Sequence, residues 1–370
     1  METDLLLWLV VAAALAFDFT NGFHDTANVV ATSISTRAMR PRVAIALAAI
    51  LNFVGAFLSL KVAATIASGI VDSNSITLQI VFAGLVGAIA WNMLTWWFGL
   101  PSSSSHALIG GVVGAMLAAN GFGAIHGDGL LNKVVVPALI APTLAFAVAG
   151  ISILCIYRII GRQRPGPVTR GFRLGQIASG SLLALAHGTN DAQKTMGIIT
   201  LALVAHGSLN AVNPEIPFWV VLSSASAIAL GTYSGGWRII RTMGSKIIKM
   251  DAAQGFAAQG SGAAVILAAT HVGFPLSTTH VISGGVVGAG AAKRLSAVKW
   301  GVAGNMAVAW ILTIPAAGLT GGVAYGISSL VGGGTQGPFT VCLVVAIIVW
   351  WLMRSHRART PPPIAEEPAS

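Results

Sequence analysis

Two short segments carry groups capable of chemistry, and they echo one another. Asn21-Gly22-Phe23-His24-Asp25-Thr26-Ala27-Asn28 is answered in the second half by His187-Gly188-Thr189-Asn190-Asp191-Ala192-Gln193-Lys194. Asp25 and Asp191 stand inside apolar runs, where a carboxylate costs about 2.5–3.5 kcal/mol on insertion scales, so packing alone does not explain them. Asn21, Asp25 and Asn28 are spaced i, i+4, i+7, as are His187, Asp191 and Lys194, and each set forms one polar stripe on a helix face. Carboxylate, amide and carbonyl oxygens suit a hard cation such as Na⁺, or a proton. The expected cation-binding and coupling set is Asn21, Asp25, Asn28, Thr189, Asn190 and Asp191, with Na⁺ itself placed at Asp25, Asn28, Asn190 and Asp191. Lys194 can hold an anion or pair with Asp25 or Asp191, and the ion pair is favoured. Asp18 has no counterpart in the other half and is open between packing and function. For His24 and His187 a buried, neutral imidazole is the default.

A second pair of segments suits an oxyanion. Pro101-Ser102-Ser103-Ser104-Ser105-His106 returns as Pro275-Leu276-Ser277-Thr278-Thr279-His280, each followed by a small-residue run that also matches: Gly110-Gly111-Val112-Val113-Gly114-Ala115 and Gly284-Gly285-Val286-Val287-Gly288-Ala289. Matching this extended within one chain is an internal repeat. Ser103, Ser104 and Ser105, like Ser277, Thr278 and Thr279, precede a helix, where first-turn N–H groups lack partners and carry the positive end of the dipole. Helix N-termini bind phosphate-like anions on this basis. A lone serine run is more often an ordinary N-cap; the pairing favours two loops closing on one anion. His106 and His280 are expected to support the loops by hydrogen bonding.

The elements that position these groups follow from composition. The 370 residues are 55% hydrophobic and 9% charged, against about 25% charged in soluble domains, so the chain is an all-α polytopic membrane protein. Its net charge of +10 comes from basic clusters between apolar runs, which reads as cytoplasmic-loop bias and not as nucleic-acid binding. Cys155 and Cys342 lie in apolar runs and suggest neither a disulfide framework nor a metal site. Leu5–Ala16 resembles the apolar core of a signal peptide, but acidic residues precede it, and it is taken as the start of an uncleaved first span.

That span, roughly Leu5 to Ser35, is longer than the ~20 residues a bilayer needs. Its polar middle with Gly22 predicts a broken or kinked helix, and Leu174 to Ala205 repeats the pattern. Arg37–Arg42, Arg158–Arg173, Arg238–Lys249, Lys293–Lys299 and Arg354–Arg359 can share the cytoplasm only if Leu78–Ala119 and Ala252–Ala292 each enter and leave on one side. The Arg238–Lys249 set is spaced as a basic stripe on an amphipathic surface helix. The expected architecture is two inverted-topology repeats, each with a broken transmembrane helix and a re-entrant helical hairpin. The first covers residues 1–160 and the second 174–353, with a basic connector at 161–173 and a disordered tail at 354–370. The N-terminus falls outside and the C-terminus in the cytoplasm of a cell whose plasma membrane the chain spans. Paired interrupted segments of this kind point to a secondary transporter with a midplane site.

The duplicated signature, Phe19 to Asn28 and Ala186 to Lys194, resembles that of the PiT inorganic phosphate transporters, and the two Pro-Ser/Thr loops match that family as well. The resemblance implies symport of phosphate with Na⁺ or H⁺, the aspartates serving the cation and the hairpin loops the phosphate. Gln193-Lys194 replaces the commoner small-residue-plus-amide ending and looks like the bacterial branch that carries phosphate with protons, often as a metal complex. Sulfate is the alternative cargo and a passive anion channel the alternative mechanism; an intramembrane serine hydrolase is disfavoured because Ser105 and His106 are sequence neighbours that do not face each other on a helix. No cofactor is expected beyond the coupling cation. The expected partners are inorganic phosphate and membrane lipid, with a homo-oligomer allowed.

Overall fold

The computed structural model describes residues 2–68, 75–210, 214–332 and 334–359, with side chains as far as Ile348. Helices follow one another in the order α1 (Glu2–Ser35), α2 (Pro41–Gly55), α3 (Lys61–Ser68), α4 (Leu78–Phe98), α5 (Ser104–Asn120), α6 (Gly127–Leu130), α7 (Val136–Ile160), α8 (Pro165–Ala205), α9 (Phe218–Ser234), α10 (Trp237–Arg241), α11 (Ala252–His271), α12 (Thr278–Lys293), α13 (Trp300–Val331) and α14 (Gln336–Arg359). Among the described residues, four segments are long and apolar enough to cross a membrane: Glu2–Ser35, Leu78–Phe98, Gly127–Ile160 and Trp300–Val331. A fifth candidate is the pair Phe218–Ser234 and Trp237–Lys246, bent by 58°.

The expected breaks in the two motif helices are absent. Hydrogen-bonded helix runs unbroken through α1 for 34 residues and through α8 for 41 residues. The polar side chains in their middles find partners on neighbouring elements, so the backbone has no need to unwind. The glycines serve close approach instead. A Cβ on Gly22 would run into the backbone of α9 at Ile228, and one on Gly231 into α1 at Phe19. The second half repeats this contact: Gly188 lies on the Asn52 backbone of α2, and Gly55 on that of Leu185 in α8.

Helices α4 and α5 pack on each other, as do α11 and α12, and their repeated glycines have the same purpose. Gly110 and Gly114 of α5 abut the backbone of α13 at Ile314 and Gly318, beside Pro315. Gly284 and Gly288 of α12 abut α7 at Pro142 and Phe146. Small residues at such contacts let helices approach where apolar burial alone gives no drive between them in lipid. The halves therefore interleave: α2 and α7 of the first lie on α8 and α12 of the second, while α9 and α13 lie on α1 and α5.

Two details differ from the sequence reading. The basic stripe forms only the short α10 and the following π turn, and Lys249 falls in the loop beyond. Arg238 lies 4.9 Å from the Trp96 ring and 4.5 Å from that of Trp97, and its guanidinium donates to the Trp97 carbonyl at 2.6 Å. Helix α14 continues through Arg359 into the segment expected to be disordered; the remainder of that tail, like the Val71–Asn74 loop, lies outside the described residues. At the base of the second hairpin, Asp251 caps α11 in a reciprocal box with Gln254. It also accepts from Tyr157 Oη at 2.8 Å and Lys293 Nζ at 3.0 Å. Burial works to raise its carboxyl, but these donors outweigh it and hold the group below the ordinary carboxylate range.

Gly188→Ala places a methyl group against the Asn52 backbone and is expected to destabilise the detergent-solubilised protein by about 1–3 kcal/mol. Gly260→Ala, with open space at its Cβ, should not lower the unfolding temperature.

Candidate functional site

The central stripe of α1 meets that of α8 deep in the protein. A carboxylate oxygen of Asp25, one of Asp191 and a ring nitrogen of His187 lie within 4.8 Å of one another, all three residues buried. Asp25 accepts from Ser104 Oγ at 2.8 Å and stands 2.7 Å from His24 Nδ1. The Thr278 hydroxyl lies between the two acids, 3.4 Å from Asp25 Oδ2 and 3.1 Å from Asp191 Oδ2. Its single proton can serve one of them at a time. Thr279 Oγ1 approaches Asp25 Oδ1 at 3.4 Å and accepts from Asn28 Nδ2 at 2.9 Å.

Lys194 resolves in favour of the ion pair, and its partner is Asp191 rather than Asp25. Its ammonium donates to Asp191 Oδ1, to Ser105 Oγ at 2.6 Å and to the Leu276 carbonyl at 2.7 Å. That employs all three of its protons. Asn28 and Lys194 hold equivalent positions in the two stripes and act alike, each reaching the hairpin tip of the opposite half. The residues preceding the aspartates also match. His24 Nε2 faces Thr95 Oγ1 at 3.2 Å, near the tip of the first hairpin. Asn190 Nδ2 donates to Thr270 Oγ1 at 2.8 Å and the Phe274 carbonyl at 3.2 Å, near the tip of the second.

Several expected members of the site have other partners. Thr189 turns its hydroxyl to the Leu185 carbonyl at 2.6 Å and faces α2, two positions and about 200° around the helix from Asp191. Asn190 gives its amide N–H groups to Thr270 and Phe274, while its Oδ1 is buried without a partner. Asn21 Oδ1 stands 2.7 Å from Ser104 Oγ and competes with Asp25 for its single proton. Ser103 and Ser277 are N-caps, accepting from the His106 and His280 amides at 3.1 and 3.3 Å. His280 makes no hydrogen bond through its ring. It stacks on Trp310 at 4.1 Å and meets His106 edge-on at 4.8 Å, so the His280 ring supports its tip by packing. The sequence reading put His187 on the Asp191 stripe as a neutral imidazole and left it out of the cation set. Its Nε2 stands 3.0 Å from Asp191 Oδ2 and its Nδ1 3.2 Å from Asn52 Oδ1. Asn52, Thr95 and Thr270 had no signal in the sequence, being lone polar residues in other helices.

Residues 21–321 match the model of the phosphate transporter family. The chain belongs to that family. It is 53% identical over 355 residues to a probable low-affinity inorganic phosphate transporter of Mycobacterium bovis, covering 95% of this chain and 85% of that one. It is 45% identical to a Bacillus subtilis protein of the same description, over 88% of this chain and 98% of that one. A solved structure titled as the sodium-dependent phosphate transporter superposes with a TM-score of 0.77 at 24% identity, covering 88% of this chain and 99% of the other, and establishes the shared fold. This family member is thus a multi-pass membrane protein among transporters and not an enzyme.

Breaking a buried ion pair from one side costs about 3–5 kcal/mol, because the other charge is left uncompensated. Lys194→Gln should therefore lower stability sharply, whereas Asp191→Asn with Lys194→Gln should lower it by less than the sum of the single changes. A double-mutant cycle of unfolding in detergent measures this coupling.

Proposed function

We propose that the chain imports inorganic phosphate across the plasma membrane by cation-coupled alternating access, with its N-terminus outside and its C-terminus in the cytoplasm. One observation carries the reading: the hydroxyl donors of both hairpin tips converge on the two carboxylates of the helix stripes. Ser104, Thr278 and Thr279 are the donors an oxyanion would take, and in the arrangement described they are turned to Asp25 and Asp191. Anion binding draws those donors away, and a cation or proton on the carboxylates offsets the loss. The two binding events are thereby linked, and such linkage is reciprocal. A passive channel for anions has no need of the paired acids.

The same carboxylates favour phosphate over sulfate. Hydrogen phosphate can donate its own proton to Asp25 or Asp191, while sulfate at neutral pH has none to give and would meet bare like charge. For the coupling ion, the carboxylates offer oxygen to Na⁺ or a basic site to H⁺. His187 adds a nitrogen donor, which suits a borderline divalent metal better than Na⁺. It supports carriage of phosphate together with such a metal, the pair entering as substrate.

Phosphate uptake into proteoliposomes, with Na⁺ and pH gradients imposed separately, tests the reading. Asp25→Asn and Asp191→Asn should each abolish uphill accumulation. Ser104→Ala or Thr278→Ala removes a bond to a charged partner, worth about 1.5–3 kcal/mol, so phosphate affinity should fall on the order of tenfold or more. Wild-type accumulation dependence in both asparagine variants would defeat the coupling, and equal competition by sulfate would defeat the selectivity. The orientation is tested by single cysteines in a chain lacking Cys155 and Cys342. One at Ser208 should react with an impermeant reagent added to intact cells, and one at Thr169 only after the cells are opened.

A further inference from the structure

Among the described residues, four acidic or basic side chains are buried: Asp18, Asp25, Asp191 and Lys194. Three carboxylates thus face one ammonium, and that ammonium is committed to Asp191. Asp25 is supplied with donors as described above. Asp18 is not. It is fully buried, and neither of its oxygens has a hydrogen-bond partner. The side chains beside it are Thr195 of α8 and Asn21 of its own helix, with Asp191 and Lys194 within electrostatic reach. The Thr195 hydroxyl is buried and unpartnered too. Helices α4 and α9, which also pack along α1 here, bring no acidic, basic or histidine residue; α5 brings only His106, at its first turn.

With only the Thr195 hydroxyl and the Asn21 amide beside it and neither in hydrogen-bonding geometry, an ionised carboxylate here is disfavoured, and such a group can avoid the charge by holding a proton. That proton also completes the local bonding, because a carboxylic O–H can donate to Thr195 Oγ1. We infer that Asp18 is the residue on which the transporter carries a proton, at a position distinct from the phosphate-binding tips. It lies seven residues before Asp25 in α1, about 10 Å along the axis, on the outer side if the N-terminus is external. It is joined to Asp25 by one short path: Asn21 adjoins Asp18, and Ser104 contacts both Asn21 and Asp25. When phosphate takes Ser104, Asn21 is released toward Asp18. When the site opens to the cytoplasm, water reaches Asp18 and the proton leaves.

This inference rests on the phosphate-transport reading, and proteoliposomes holding a trapped pH dye and labelled phosphate separate the two. Wild type should accumulate phosphate under an inwardly directed proton gradient, with protons moving in alongside. D18N keeps the shape of the protonated acid but cannot release a proton. It should still exchange phosphate for phosphate, yet lose proton-driven accumulation and the accompanying proton influx. D18E should accumulate with a displaced pH profile. Wild-type accumulation and proton influx in D18N overturn the assignment of Asp18, whereas absence of phosphate exchange in wild type overturns the transport reading. If D18N does not fold, the wild-type chain decides. Dicyclohexylcarbodiimide adds to protonated carboxyls in apolar surroundings, and peptide mass spectrometry should find it on Asp18 at low pH and progressively less as pH rises. No label on Asp18 at any pH rejects the proposal.

Discussion

Lys194 holds the centre of the molecule together. A buried ammonium needs both countercharge and a full set of acceptors, since desolvation otherwise exceeds the attraction it gains. Here the acceptors come from three places: Asp191 on the same helix, Ser105 at the tip of the first hairpin, and the Leu276 carbonyl at the tip of the second. One group therefore fixes the distance between the two tips and ties both to α8. The carboxylate of Asp191 is oriented by the same contact and by His187, and through Thr278 it shares a donor with Asp25. Removing the lysine leaves a carboxylate, a hydroxyl and a carbonyl facing a void, which explains why a charge so costly to bury is retained.

Around that centre, glycine decides which helices approach. The contacts Gly22–Ile228, Gly188–Asn52, Gly114–Gly318 and Gly288–Phe146 bring backbones against one another. They allow α1 and α8 to remain continuous while presenting polar stripes to the interior. An unwound helix exposes carbonyls for ion binding; these two instead present side chains, and their backbone hydrogen bonds stay within the helix. The chemistry at the centre consequently belongs to side chains on rigid elements and to hydroxyls at two helix starts.

Much of this was legible in the sequence because a duplicated pattern marks its own important positions. The two stripes, the two hydroxyl loops and the two glycine runs could be paired by inspection, and their helical periodicity put Asp25 and Asp191 on interior faces. The reading failed where a residue's partner lies far along the chain. Gly22 suggests a break in the helix until Ile228 is known to lie against it. Thr189 was grouped with Asp191, although its hydroxyl turns to the Leu185 carbonyl on another side of the helix. His187 occupies the correct face, but only Asn52 and Asp191 on either side of its ring reveal its place. Ser103 and Ser277 look the same in sequence as the serine and threonine beside them, and the difference is a backbone amide that needs a cap.

The interleaved packing bears on how the chain is made. Helices α2 and α7 leave the ribosome before the surfaces of α8 and α12 that they will cover exist. Until then, Gly55 and Pro142 have no opposing backbone, and Asp25 lacks Thr278 and Thr279. Membrane proteins of this length commonly mature through partly packed intermediates, and here the first repeat has to persist as one until the second is inserted. The repeats are therefore not modules that can drift apart in sequence. An enlarged residue on one helix of a crossing has to be answered on its partner in the opposite repeat, which ties the evolutionary history of each half to the other.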